Sequence, residues 1–234
     1  MNELFEVLFS INTLTATLRL ATPIALAATA GTVSERAGII NLGLEGKILG
    51  GAFAAAYASS LTGSPWLGLL AAVAAGMAMG GLLGLFAIRF RADHVVAGVG
   101  LNILMLGLTG LLMQVIWGTR GASPTVPALP TWSIPLLRDL PVLGPLLGSH
   151  TPLVYLMLLA APLLWVWLFR SPAGLRVRMI GEHPEAAATV GIRVQRMQLR
   201  CLLLAGALAA LGGAHLSLGH LSWFSANMSA GRGY

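Results

Sequence analysis

Two short stretches of this sequence gather charged and amide side chains, and both lie between long apolar runs. Residues 34–46 read SERAGIINLGLEG, with Glu35, Arg36, Asn41 and Glu45 set among Gly38, Gly43 and Gly46. Carboxylates and amides placed among glycines suit a backbone that leaves regular helix and presents polar groups inward. Residues 181–191 read GEHPEAAATVG. Pro184 is well suited to begin a helix, because its missing N–H is not needed there. Glu185 complements the positive N-terminal end, Ala186, Ala187 and Ala188 favour helix, and Gly191 is a natural stop after Thr189 and Val190. A two-turn helix over about 184–190 is expected, too short to persist without packing.

Chemistry of the catalytic kind has no such focus. The five histidines (His94, His150, His183, His215 and His220) do not pair with cysteine or carboxylate at metal-ligand spacing. His215 and His220 stand five apart, off a common helix face, and are read as structural or as lying at the outer interface. There is no nucleophile elbow, no HExxH and no phosphate-binding GxxxxGK[ST] loop. An enzyme, a metal site, a resident cofactor and nucleotide hydrolysis by this chain itself are therefore not expected. Cys201 is the single cysteine, which excludes an internal disulfide, and is read as a small hydrophobe at the start of an apolar run.

The elements that position the two stretches follow from composition. Only 9% of the 234 residues are charged, 56% are hydrophobic and the mean hydropathy is +0.82. Soluble domains carry about a quarter charged residues. Residues 48–88, 94–119 and 140–169 contain no Asp, Glu, Lys or Arg. Such runs are long enough to span a bilayer as helices. Six apolar segments are read: Ile11–Val33, Ile48–Leu61, Trp66–Ile88, His94–Trp117, Thr151–Phe169 and Cys201–Trp223. The second is short for a full span. The start, MNELFEVLFS, lacks the basic region of a cleavable signal, so the first segment is expected to remain as a membrane helix.

The net charge of +6 is not a nucleic-acid signature, because the arginines sit in short loops. Arg170, Arg176, Arg178, Arg193, Arg196 and Arg200 lie between the fifth and sixth segments, and Arg89 and Arg91 between the third and fourth. The 118–150 loop has only Arg120 and Arg138, diluted by six prolines. Basic loops stay in the cytoplasm, so 89–93 and 170–200 face inward and 118–150 outward. Counting back puts 34–47 inside and the N-terminus outside, unless 34–50 is re-entrant. In this frame 34–46 is either a broken helix lining a translocation route or an ordinary cytoplasmic turn. The helix at 184–190 is either a peg entering a groove on a cytoplasmic partner or an interfacial helix with its arginines near anionic lipid. Asn102, deep in the fourth segment, faces a polar cavity or bonds a neighbouring helix. Arg19 snorkels to an interface and Gln114 is structural. Gly76, Gly80 and Gly84, and Ala205, Ala209 and Gly213, give helix faces on which backbones can approach closely.

Three separated stretches resemble one family. Glu185-Ala186-Ala187-x-x-x-Gly191 resembles the EAA-x-x-x-G loop of ABC-importer permeases. SERAGIINLGLEGKILGGAFAA is similar to the S-E-R-x-G-[VI]-[IV]-N-[IL]-G-x-E-G signature of the branch that imports simple sugars and nucleosides. GLRVRMIGEHPEAAATVGI and ALAALGGAHLSLGHLSWFSANMSAGRGY are similar to that branch as well, so the resemblance covers essentially the whole chain. Its nearest likeness is to nucleoside-importer permeases. Family members usually continue past Gly231-Arg232-Gly233-Tyr234, so the chain is expected to be C-terminally truncated relative to them.

The resemblance implies an all-α, polytopic transmembrane helical bundle with a cytoplasmic coupling helix, built as a single permease domain over 1–234. It implies a plasma or inner membrane location and import of nucleosides or simple sugars. It implies as partners an ABC ATPase subunit that binds the ATP, a second permease subunit (the same or a different chain), an extracytoplasmic substrate-binding lipoprotein, and membrane lipid. Pro184, Glu185, Ala186, Ala187, Ala188, Thr189, Val190 and Gly191 would form the ATPase-docking helix, and Asn41, Glu45 and Asn102 are candidates for the substrate pathway. A self-contained channel or secondary transporter and a non-transporting remnant are the alternative readings.

Overall fold

The computed structural model describes residues 10–133 and 148–234. The start of the chain, Met1–Phe9, and Arg138 lie outside the described residues. The architecture is helical: α1 (Ile11–Arg36), α2 (Leu44–Thr62), α3 (Pro65–Gly84), α4 (His94–Trp117), α5 (Pro152–Arg170), α6 (Pro172–Glu182), α7 (Pro184–Thr189) and α8 (Val194–Ala214). Two wider-wound segments, Leu85–Arg89 and His215–Leu221, extend α3 and α8. A two-residue antiparallel pairing, Trp132–Ser133 with Ser149–His150, closes the base of the 118–150 loop.

Among the described residues, five helices are long and apolar enough to cross a membrane: α1, α3 with its extension, α4, α5, and α8 with its extension. α2 is the exception. It carries Glu45 and Lys47 in its first turn, and both are buried. At about 1.5 Å per residue its 19 residues are about 28 Å long. The short second apolar segment is thus the apolar part of a longer helix that starts four residues earlier, on polar side chains.

α8 and α2 form the centre. α8 packs on α3, α2 and α1, while α2 also packs on α3 and α4; α5 reaches the bundle mainly through α1 and α6. Small residues set these crossings. An added Cβ at Gly76 would collide with the Gly206 backbone, and one at Gly213 with the Ile48 carbonyl. Gly51 lies against Ala210, where the added carbon would stand 2.5 Å from its Cα. The expected faces on the third and sixth segments are therefore used, together with Gly206 and Ala210. Lipid gives helices no hydrophobic reason to associate, so this backbone contact must hold them together.

The two ends of the bundle differ. At one end the Gln198 side chain donates to the Ala37 carbonyl (3.2 Å). Gly38, at φ +81°, lets its loop lie against Gly181, with room for no more than a tight contact. The loop after α1, the α6–α7 pair and the start of α8 therefore share this end. At the other, Ser59 Oγ donates to the Pro127 carbonyl (2.9 Å) and Leu129 N–H to Leu218 O (2.9 Å). α1 runs unbroken to Arg36, and α2 crosses from the basic end to the 118–133 loop.

Candidate functional site

The 34–46 stretch becomes the last turn of α1, an irregular link over 37–43, and the first turn of α2. Its polar groups are buried: Asn41 is 5% exposed, Glu45 8%, and Lys47 fully covered. The Lys47 ammonium donates to Asn41 Oδ1 (2.7 Å), pinning the link to α2 across six residues. Asn41 Nδ2 has no hydrogen-bond partner. Lys47 is absent from the polar candidates of the sequence, although its charge stands immediately before the apolar run that opens at Ile48.

Asn102 and Glu45 converge from two helices on backbone. Asn102 Oδ1 accepts from Gly46 N–H (2.8 Å), and its Nδ2 donates to the Leu42 carbonyl (2.8 Å) and the Tyr234 hydroxyl (3.3 Å). Gly46 permits this approach, since a Cβ there would meet Asn102 at 3.1 Å. The Glu45 carboxylate accepts from Gly231 N–H (2.8 Å) and Gly233 N–H (2.7 Å), one oxygen each. Such charge-assisted bonds to amides are among the stronger ones a protein makes.

Those amides belong to a segment that turns back into the bundle. After α8 the chain pairs with the 118–133 loop, Phe224 N–H donating to Ser123 Oγ and Ser123 N–H to Phe224 O. Phe224 packs edge-on against Phe53 of α2. Residues 225–234 then descend along α2 as successive turns to Glu45. Irregular backbone at this depth is tolerated only inside protein or against a watery cavity. A cavity of about 230 Å³ does lie beside it, lined by Thr32, Glu35, Leu44, Arg232, Gly233 and Tyr234 among others. Asn41, Glu45 and Asn102 are not among its lining residues; apart from Asn41 Nδ2, their polar side-chain atoms bond within the chain itself.

At the same end of the bundle, on its exposed side, lies α7. Pro184 begins it, Gly191 at φ +83° ends it, and Ile192 N–H returns to the Ala187 carbonyl (3.1 Å). The expected boundaries differ by one residue. Glu185, Ala186, Ala188, Thr189 and Val190 are exposed, whereas Ala187 is fully buried beside Val33, Val177 and Ile180. α7 is thus a knob anchored by one methyl. α6 before it, started by Ser171 Oγ accepting from Gly174 N–H (3.0 Å), was hidden in what reads as a basic loop. Arg178 stacks over Phe169 (4.8 Å) and Arg170 over Trp165 (5.7 Å). Arg176, Arg193, Arg196 and Arg200 line a groove of about 480 Å³ beside Val190 and Gly191.

His215 is structural. It is 1% exposed, its Nε2 lies 3.1 Å from the Arg19 carbonyl and its Nδ1 3.4 Å from Thr151 Oγ1. A carbonyl only accepts, so Nε2 carries the proton and Nδ1 accepts. The imidazole ties α8 to α1 and the start of α5. Gln114 accepts from Arg120 Nε (3.1 Å) near the end of α4. Among the described residues no three His, Cys, Asp or Glu side chains gather as a metal site would require.

Comparison with known proteins bears on this architecture. The profile of the family described as branched-chain amino acid transport system / permease component matches residues 13–234. The chain is 39% identical over 205 residues to the guanosine ABC transporter permease protein NupQ of Bacillus subtilis, covering 85% of this chain and 64% of that one. It is 34% identical over 230 residues to the putative glucose ABC transporter permease protein TsgC13 of Haloferax volcanii, covering 97% and 68%. It is 34% identical over 221 residues to the nucleoside ABC transporter permease protein NupC of Lactococcus lactis, covering 92% and 69%. The chain spans about two thirds of the length of these relatives.

Proposed function

The chain belongs to the branched-chain amino acid transport system / permease component family, and from that premise we propose that it is the membrane-spanning subunit of an ATP-driven importer of nucleosides or simple sugars. The observation that carries this reading is α7. A six-residue helix stands exposed at the basic end, held by Ala187 in the same cluster as the end of α1, α6 and Cys201 of α8. A force applied to its exposed face passes into α8, the most buried of the spanning helices. That is what a docking element needs if a cytoplasmic ATPase is to tilt the bundle. The relatives named for guanosine, nucleosides and glucose support the substrate class.

In this reading Pro184 to Gly191 seat in the ATPase. A substrate-binding lipoprotein delivers from outside, and a second permease subunit completes the path. Asn41, Glu45 and Asn102 shape that path by fixing the backbone at Leu42 and at Gly231–Tyr234. The exposed face of α4, with Val96, Ile103, Leu111 and Val115, is available to lipid or to the second subunit.

Ala186 is exposed, so Ala186→Arg leaves the fold intact and blocks the seat. Co-purification of the ATPase with the permease is expected to fall at least about tenfold, a loss of roughly 1.4 kcal/mol in association. Unchanged co-purification would sink the docking role and favour a self-contained channel or secondary transporter. Cells carrying the complete operon are expected to take up labelled guanosine or ribose and not leucine; uptake of leucine alone would overturn the substrate class.

A further inference from the structure

The arginine groove beside α7 does not end there. Arg196 also forms part of the rim of a second groove, about 400 Å³, between the C-terminal end of α3 and the start of α8. This second groove is mainly apolar, lined by Gly81, Gly84, Leu85, Ile88 and Leu199 together with Gln195, Arg89 and Arg196. The two adjoining grooves therefore combine an apolar trench with five arginines, Arg89, Arg176, Arg193, Arg196 and Arg200. All five are exposed, and no carboxylate lines either groove. The trench exists because two of its wall positions lack side chains. At Gly81 an added Cβ would find only Leu203 Cδ2, at 3.6 Å.

We propose that this composite groove is a specific site for an anionic phospholipid, one acyl chain lying in the α3–α8 trench and the phosphate held by the arginine cluster around Arg196. Charge complementarity selects an anion, and the attached trench selects one that carries a hydrocarbon chain. Arginine suits the role because its planar fork makes two parallel bonds to a phosphate. The position suits it too. Val194 begins a spanning helix, so Arg193 stands at its cap and Arg196 and Arg200 sit on its first two turns, where a helix passes from headgroups to hydrocarbon. Arg196 and Arg200 are four apart, and Arg193 and Arg196 three apart, so they share one face. The site adjoins α7 through Val190 and Gly191, so a bound lipid steadies the segment that follows the knob. The inference does not depend on the ATPase reading.

Native mass spectrometry of the purified full chain, given equimolar phosphatidylglycerol and phosphatidylcholine in detergent, tests it. Phosphatidylglycerol is expected to be retained at least about tenfold over phosphatidylcholine. Each of Arg196→Gln and Arg200→Gln is expected to weaken retention about fivefold, as one basic residue near an anionic headgroup would. Gly81→Leu, which fills the trench and leaves every arginine in place, is expected to weaken it as much. Leu85→Trp, which adds bulk and no charge at an exposed position, tests the trench again. Equal retention of the two lipids would overturn the proposal. So would loss through the arginine variants with none through Gly81→Leu and Leu85→Trp, which would mean that the arginines hold a headgroup and the trench takes no acyl chain.

Discussion

The polar node around Glu45 and the basic end around α7 use similar side chains in opposite ways. At the node the polar atoms are mostly consumed within the chain. Glu45 takes two amides, Asn102 bridges Gly46 to Leu42, and Lys47 reaches back to Asn41. At the basic end, four arginines line an open groove, and α7 exposes five of the residues from Glu185 to Val190. The difference follows from burial, the node being covered by packed chain and the arginine groove open. In hydrocarbon a polar group without a partner costs several kcal/mol, so buried ones are closed off internally. At the headgroup boundary an arginine stays hydrated and remains available to another molecule. The node is accordingly a device for holding backbone, and the basic end a device for meeting something.

The sharpest way to break this contrast is at Glu45. Glu45→Ala removes the acceptor of two buried amides at once, at about 2 kcal/mol for each charged bond. A loss of about 4 kcal/mol in unfolding free energy is expected, read from denaturant unfolding in detergent micelles. The same measurement on Arg196→Gln should move by less than about 0.5 kcal/mol, as for an exposed residue with no structural partner. Similar values for the two variants would dissolve the distinction between the regions.

The Asn41–Lys47 pair refines it. Asn41→Ala leaves a fully buried ammonium without that hydrogen bond, and a loss of about 2 kcal/mol is expected. Lys47→Met removes the charge and fills the same space with an apolar chain, which buried ionic groups often tolerate or favour. If the bond serves only to satisfy Lys47, the double variant is more stable than Asn41→Ala alone. A double variant as unstable as the sum of the singles would mean that each residue holds the 37–43 link by some other contact.

How much of this could be read from residue order differs between the same two regions. The ends of α4 fall where Asp93 and Gly118 place them, because Asp93 accepts from Val95 and Val96 N–H and Gly118 stands at φ +68°. α7 starts at Pro184 and stops before Gly191 for the same local reasons. α6 was obscured because its 11 residues include two arginines and follow another, so a charge count reads the stretch as loop. The first two turns of α8 were obscured likewise, since hydropathy begins an apolar run only at Cys201. At the node the polar types were legible and their partners were not. Glu45 meets Gly233 and Asn102 meets Tyr234 across more than a hundred residues, and a backbone N–H leaves no mark on its own position. Gly206 was legible in retrospect, lying four residues before Ala210 on the face that meets α3.

The smallest effect distinguishes the ends of α7 from its anchor. Gly191 has no atom within 4 Å of where a Cβ would stand, so Gly191→Ala costs only the conformational penalty of a side chain at φ +83°. That penalty is about 1 kcal/mol. Because α7 is joined to the bundle chiefly through Ala187, the cost should appear as local fraying and not as global unfolding. Hydrogen exchange at Gly191 and Ile192, whose amides return to Ala188 and Ala187, is expected to quicken about fivefold, with the amides of α2 and α8 unchanged. If instead the whole bundle lost stability by the same amount, α7 would be part of the cooperative core, and the division into a holding region and a meeting region would fail at this helix.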